Sequence, residues 1–168
     1  MIPIQNIYYM LSYAFQILNE QGYRNIATEQ FNNTAELMAA ILEKGIANQL
    51  KRGLCKEYIP QTEALSSLRG KIDIAESIKT QSMLRKQLIC TYDEFSVNST
   101  MNQIIKSTVE LLLCSNISKK RKKNLRKLMI YFGEVDFIDL HTVNWNVQYN
   151  RNNQTYRMLI SICYLVVK

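Results

Sequence analysis

Lys86-Gln-Leu-Ile-Cys-Thr-Tyr92 decides the fold class, because this short segment is rich in apolar, β-branched and aromatic residues. Two earlier segments, Cys55-Lys-Glu-Tyr-Ile59 and Gly70-Lys-Ile-Asp-Ile74, have the same character. Strands favour this composition because branched and aromatic side chains pack well on a pleated surface. Together they predict a small antiparallel β-sheet or hairpin around residues 54–95.

The connection between the first two segments carries turn residues. Pro60 is expected at a strand end or on an edge strand, since proline cannot donate to a strand ladder. Ser66, Ser67 and Gly70 favour turns. We therefore predict a projecting loop or hairpin tip over Gln61–Arg69.

Helical periodicity dominates the rest of the chain, so the predicted fold class is α+β, mainly helical. Pro3 suits a first helical turn, and the face behind it is expected to be buried. A second helix should run from an Asn33 N-cap, with Glu36 three residues on, to Arg52 before Gly53. Later helices are predicted from Asn98, from Ser118 to Phe132 and from Thr155, with an irregular Glu134–Tyr149 in which Trp145 anchors the core. The buried face of the first helix comprises Ile4, Ile7, Tyr8, Leu11, Ala14 and Leu18.

The composition is that of a chain able to bury a core, with 168 residues of which 47% are hydrophobic. Its longest apolar runs, Leu111–Cys114 and Ile162–Val167, are far below the roughly 20 residues that cross a bilayer. The expected protein is soluble and cytoplasmic, with free and mostly buried thiols and no zinc site. His141 is expected to be a structural or surface residue. The cysteines behind this expectation are Cys55, Cys90, Cys114 and Cys163.

One run accounts for the net charge of +7, because Lys119–Lys127 has seven positive charges and no negative one. Such a run can contact nucleic acid phosphates with salt-dependent affinity. It is equally consistent with a solvated helix face whose inner side is Leu125, Leu128, Met129 and Phe132. Both interpretations stay open. The candidate nucleic-acid-binding residues are Lys119, Lys120, Arg121, Lys122, Lys123, Arg126 and Lys127.

Four motifs in order resemble the McrC subunit of McrBC-type, modification-dependent restriction systems. The first is the N-terminal Ile2-Pro-Ile-Gln-Asn-Ile-Tyr-Tyr-Met-Leu-Ser-Tyr-Ala14. The others are Arg69-Gly-Lys-Ile-Asp-Ile-Ala-Glu-Ser-Ile78, Asn98-Ser-Thr-Met-Asn-Gln-Ile-Ile-Lys-Ser-Thr108 and Tyr156-Arg-Met-Leu-Ile-Ser-Ile-Cys163. Each motif alone is weak, but the ordered set identifies the chain as a McrC-like protein.

The resemblance implies a finger that enters the pore of a McrB-like GTPase hexamer and stimulates GTP hydrolysis. It also implies a C-terminal nuclease domain with a PD-(D/E)xK metal site that acts on DNA in the complex. Turn chemistry and resemblance together place the finger tip at Gln61–Arg69. The candidate partner-binding residues are Glu63, Leu65, Leu68 and Arg69.

The nuclease motif is missing, since none of the fourteen acidic residues is followed two positions later by Lys. No P-loop pattern is present either. Residues 1–168 are therefore expected to be the N-terminal docking domain without catalytic or metal-binding residues, and the apolar last helix looks cut. No cofactor is expected in this chain. Magnesium is expected only in the absent nuclease domain, and GTP is expected on the partner. The alternative function is a basic DNA-binding module using Lys119–Lys127.

Overall fold

The computed structural model describes residues 3–19, 23, 26 and 29–168. They form two compact units. The first contains the residues up to Cys55 and Thr100–Lys168, and the second is Lys56–Ser99. Helices build the first unit and the sheet lies in the second, which confirms the α+β prediction.

In chain order, the helices of the described residues are α1 (Ile4–Ala14), α2 (Thr34–Arg52), α3 (Ile74–Lys79), α4 (Thr100–Leu113), α5 (Lys119–Met129) and α6 (Gln154–Val167). The strands are β1 (Glu57–Leu65), β2 (Lys71–Asp73) and β3 (Leu88–Ser96). Short 3₁₀ turns cover Gln16–Asn19, Ser82–Arg85, Ile130–Phe132 and Arg151–Asn153.

The predicted start and end of α2 are both confirmed. The Asn33 side-chain oxygen accepts a hydrogen bond from the Glu36 backbone N–H at 2.8 Å. At the other end Gly53 has φ 92°, a backbone conformation that L side chains rarely adopt. The Gln49 side chain also donates to the Gly53 carbonyl at 2.8 Å. Local capping chemistry therefore fixes the length of this helix.

The core of the first unit lies where α2 packs against α6, α5 and α4. Gly45 permits the closest approach, because an added Cβ there would lie 2.5 Å from Leu159 Cδ2. On α1, Tyr8 and Leu11 are buried as expected, whereas Ile4 and Ile7 are half-buried and Ala14 is exposed. Other core residues include Leu37, Ile41, Leu42, Ile46, Ile104, Ile105, Val109, Leu125, Phe132, Met158 and Ile162.

A buried hydrogen-bond network joins α6, α4 and the segment after α2. The Tyr156 hydroxyl accepts from the Cys55 N–H at 2.7 Å and donates to Asn102 Oδ1 at 2.8 Å. The Asn102 amide in turn donates to the Cys55 carbonyl at 2.9 Å. Burial raises the pKa of Tyr156 to about 12, so its hydroxyl stays protonated at neutral pH. We call Cys55, Asn102 and Tyr156 the tyrosine clamp.

The sheet of the second unit is antiparallel in the order β1-β3-β2. Strand β1 pairs with β3 from Glu57 opposite Ser96 to Leu65 opposite Leu88. Pro60 lies in the middle of β1, opposite Asp93. Its predicted place on an edge strand is confirmed, whereas a place at a strand end is wrong. On an edge strand, a backbone N–H that faces away from the sheet makes no hydrogen bond to a neighbouring strand. Proline lacks this N–H and is therefore tolerated at such a position.

The predicted loop over Gln61–Arg69 is wrong for its first five residues. Strand β1 continues to Leu65, because residues 61–65 find backbone partners in Leu88–Tyr92. Only Ser66–Gly70 connect β1 to β2. Gly70 has φ 67°, and an added Cβ would lie 2.3 Å from the Thr91 carbonyl oxygen. Glycine is therefore required where the chain turns back against β3.

The later helices begin and end close to the predicted positions, and residues 135–149 are irregular as expected. Trp145 is not a core anchor. It is half-buried, packs edge-to-face on Tyr164 with ring centroids 5.4 Å apart, and lines an open cavity of about 460 Å³. None of the four cysteines, all of which are described, forms a disulfide, and Cys114 is exposed rather than buried.

His141 is exposed, and its backbone N–H binds Asp139. Within the described residues, no helix combines the length and hydropathy needed to cross a bilayer.

Candidate functional site

The four candidate partner-binding residues all lie in the second unit, but they differ in environment. Glu63 and Leu65 belong to β1, and Leu68 and Arg69 belong to the turn before β2. Leu65 is half-buried, whereas Leu68 is 58% exposed. These residues surround the end of the sheet where β1 finishes and β3 begins. We call the turn Ser66–Gly70 the docking turn.

Tyr92 of β3 connects two of these residues. Its hydroxyl donates a hydrogen bond to the Glu63 carboxylate, and the Arg69 guanidinium lies over its ring, 4.1 Å from the ring centroid. The hydrogen bond to Glu63, followed by desolvation, raises the pKa of Tyr92. Arg69 therefore packs the docking turn against the sheet, while Glu63 links β1 to β3 beside it. No sequence pattern indicated Tyr92 as their partner.

The apolar side of the docking turn forms a cavity of about 350 Å³. Leu65 and Leu68 line it together with Leu88 of β3 and Met83 of the 3₁₀ turn Ser82–Arg85. This second turn was not predicted from the sequence. Its only signal was an apolar pair, Met83-Leu84, directly followed by a basic pair.

The basic run forms α5 as predicted. Ser118 caps the helix, since its hydroxyl accepts from the Arg121 N–H at 3.2 Å. Leu125 is fully buried on the inner side, and Leu128 and Met129 are half-buried. Positive charges in a first turn are unfavourable, because the helix dipole places partial positive charge there. Negative partners near this end of α5 are therefore needed.

Glu36 of α2 supplies one of them. Its carboxylate accepts from the Ser118 N–H at 2.8 Å and from the Ser118 hydroxyl at 3.0 Å. The sequence predicted Glu36 only as part of a local capping motif. In the folded chain its carboxylate instead reaches a residue 82 positions away.

Arg121 points inward and binds three carboxylates. Its guanidinium lies 2.6 Å from Glu29 and 3.4 Å from Glu36, and it also binds Glu43. Burial alone lowers the pKa of Arg121, but the hydrogen bonds and charges of its partners outweigh this and raise the pKa. Arg121 therefore holds α5 against α2. It differs in this from the rest of the run.

The remaining six cations of the run form no ion pair within the described part of the chain. All except the half-buried Lys122 are exposed. Lys120, Lys123 and Lys127 follow one another at helical spacing and so share one stripe of the surface. The other three are Lys119, Lys122 and Arg126.

Residues 5–168 match the family model of the McrBC 5-methylcytosine restriction system component. The chain belongs to this family. It is 30% identical over 174 residues to the type IV methyl-directed restriction enzyme EcoKMcrBC of Escherichia coli strain K12. The match covers 99% of this chain and 48% of that relative, so the chain spans about half the length of the curated relative.

The fold is also similar to chains of solved structures from Thermococcus gammatolerans. One belongs to the cryo-EM structure of its McrBC complex, with a TM-score of 0.69 and 22% identity over 97% of this chain and 50% of that chain. Another belongs to a half-complex of McrB AAA+ hexamers with bound McrC, with a TM-score of 0.64 and 22% identity. That match covers 82% of this chain and 33% of the other. At this identity the likeness shows the fold.

Replacing Arg121 with Gln should lower the free energy of unfolding by about 2–4 kcal/mol, because three clustered carboxylates lose their shared cation. Glu29→Gln should lower it by less than about 1 kcal/mol, since the Glu29 side chain is 45% exposed. Denaturant unfolding followed by circular dichroism measures both. Lys123→Gln is the matched control within α5 and should change stability by less than about 0.5 kcal/mol. An Arg121→Gln variant as stable as this control would contradict the structural role.

Proposed function

We propose that this chain is the part of a McrC-type restriction subunit that docks onto a McrB-type GTPase ring and raises its GTP turnover. The observation that carries the proposal is the docking turn, which displays Leu68 to solvent while Tyr92 braces Arg69 behind it. Family membership supports it, as does the likeness in fold to a chain from an assembly of McrB AAA+ hexamers with bound McrC. The partner-binding residues of this proposal are Glu63, Leu65, Leu68 and Arg69.

The bracing of the turn matters for affinity. A surface that is already ordered loses little conformational entropy on binding, so more of its contact energy appears as affinity. Stimulation of a GTPase then requires no catalytic residue from this chain. Tighter binding to the hydrolysis-competent state of the ring than to its resting state is sufficient.

We also propose that residues 1–168 act as a docking domain and that DNA cleavage belongs to another part of the full system. The sequence offers neither the acidic–x–Lys spacing of the nuclease motif nor a P-loop. In this scheme GTP stays on the McrB-type partner, and magnesium serves a nuclease domain that these residues do not contain.

The purified chain should leave methylated and unmethylated plasmid DNA intact in the presence of magnesium or manganese. The reason is the missing lysine beside a carboxylate, which a metal-dependent site of this class needs near its metal. Agarose electrophoresis after prolonged incubation gives the readout. Specific cleavage that disappears when one acidic residue of this chain is changed would refute the assignment.

Leu68→Ser combined with Arg69→Gln should raise the chain concentration needed for half-maximal GTPase stimulation by about tenfold. Both side chains are exposed, so the variant should remain folded. GTP hydrolysis by the cognate McrB-type protein is measured, with circular dichroism as the folding control. Ile78→Ser is the matched control, since Ile78 is 63% exposed on α3 of the same unit. Full stimulation by the folded double variant would show that the activating surface lies elsewhere on the chain.

A second candidate function is DNA binding through α5. The observation that favours it is the stripe of exposed lysines on one side of this helix, while Arg121 is held by carboxylates on the other. Phosphate contacts of this kind position a protein on DNA without reading sequence. The residues that we propose for this contact are Lys119, Lys120, Lys122, Lys123, Arg126 and Lys127.

Changing Lys120, Lys123 and Lys127 to Gln should weaken DNA binding across sequences and flatten its salt dependence. The log–log slope should fall by up to about 0.9 for each DNA phosphate that the variant no longer neutralises. Fluorescence anisotropy with duplex DNA at several salt concentrations gives the slope. The control variant loses the same number of positive charges elsewhere in the chain, through changes to Gln at Lys51, Lys71 and Lys79. If both triple variants keep the wild-type slope, the run is a solvated helix face.

A further inference from the structure

The 3₁₀ turn Ser82–Arg85 displays two large apolar side chains to solvent. Met83 is 58% exposed and Leu84 is 81% exposed. Single exposed apolar residues are normal, but here two are adjacent in the chain, and a third, Leu68, is exposed in the same unit. Met83 and Leu68 line the same cavity, so the two turns form one continuous surface of the second unit. We call the turn Ser82–Arg85 the anchor turn.

The anchor turn is rigidly built. Gln81 and Lys86, which flank it, have φ 57° and 58°, in the left-handed region that non-glycine residues rarely adopt. A backbone in this region persists only where its surroundings hold it, and such positions cluster at functional sites. The conformation of the turn is therefore imposed by the fold.

Two buried serines impose it. The Ser77 hydroxyl accepts from the Ile89 N–H at 2.7 Å and donates to the Asp73 carbonyl at 2.6 Å. The Ser82 hydroxyl donates to the Ser77 carbonyl at 3.3 Å, and the Ser82 carbonyl accepts from the Gln87 N–H at 3.1 Å. Met83 and Leu84 are thus presented on a fixed support, which favours binding because little order is lost.

The two turns themselves carry charge of one sign, although Glu63, whose carboxylate binds the Tyr92 hydroxyl, lies beside the docking turn. Residues 64–72 and 77–92, which supply both turns, contain no acidic residue. They carry the exposed cations Arg69, Lys71, Lys79, Arg85 and Lys86. A partner complementary to an apolar centre with a positive rim has an apolar groove with a negative rim.

We propose that Met83 and Leu84 are a second anchor for the GTPase ring, inserting into an apolar groove rimmed by carboxylates on the McrB-type subunit. This inference rests on the proposed docking function and adds residues and partner chemistry to it. The docking turn and the anchor turn then contact the ring together, and Arg85 meets the carboxylates of the rim. Apolar anchors surrounded by charged residues are typical of the centre and rim of protein interfaces.

The test measures the affinity of the chain for the cognate McrB-type ring, assembled with a non-hydrolysable GTP analogue, by biolayer interferometry. The Met83→Ser, Leu84→Ser double variant should raise the Kd by at least about tenfold, because two apolar side chains are no longer buried in the groove. The matched control is Ile74→Ser, Ile78→Ser, two similarly exposed residues of α3, and it should stay within about twofold. Arg85→Glu should weaken binding more than Arg85→Gln does, and the difference should shrink as salt is raised.

The outcomes separate this inference from the proposed function. If Leu68→Ser weakens binding and the Met83, Leu84 variant binds as wild type does, the docking function stands and the second anchor is wrong. Equal weakening in the α3 control would also overturn it, since the effect would not be specific to the anchor turn. If Arg85→Glu and Arg85→Gln weaken binding equally, the proposed rim of carboxylates on the partner is wrong. Failure of the folded wild-type chain to bind the ring would overturn both proposals.

Discussion

The tyrosine clamp is the constraint on which the architecture depends. The second unit is an insertion, so the chain must leave the first unit after Cys55 and re-enter it at Thr100. Tyr156 and Asn102 hold the backbone of Cys55 on both sides, through its N–H and its carbonyl. Each polar atom of this buried network has a partner, which makes such a network specific rather than costly. One side chain from α6 and one from α4 therefore hold the residue at which the chain leaves the first unit.

The clamp also gives a physical meaning to two of the family motifs. Asn102 lies in the motif Asn98–Thr108, and Tyr156 begins the motif Tyr156–Cys163. Neither motif carries reactive chemistry, and both read as ordinary helix segments. In the structure their polar residues, Asn102 and Tyr156, bind the backbone of Cys55, where the chain leaves the first unit.

Sequence patterns predicted those parts of the fold that local chemistry determines. The Asn33 cap, the Gly53 stop and the helical periodicity of α4 depend on neighbouring residues, and they were predicted correctly. The extension of β1 to Leu65 was missed, because it depends on pairing with β3 more than twenty residues later. The left-handed backbone at Gln81 and Lys86 has no sequence signal, since the buried serines Ser77 and Ser82 impose it from inside the fold. The anchor turn could therefore not be predicted, whereas the turn residues Ser66, Ser67 and Gly70 did indicate the turn that follows β1.

Prediction from sequence has the same limit at the candidate nucleic-acid interface, the basic run Lys119–Lys127. Counting charges treats seven cations alike, yet Arg121 is bound by carboxylates of residues 78 to 92 positions away. Helix periodicity could separate an inner from an outer side of α5, but it could not indicate which acidic residues of the chain meet the inner side. Arg121 and Tyr92 thus have parallel roles in the two units. Each binds neighbouring residues of its own unit, and exposed side chains lie beside it. In the proposed docking function, an ordered surface keeps more of its contact energy as affinity, and a difference in contact with the two states of the partner gives the selectivity.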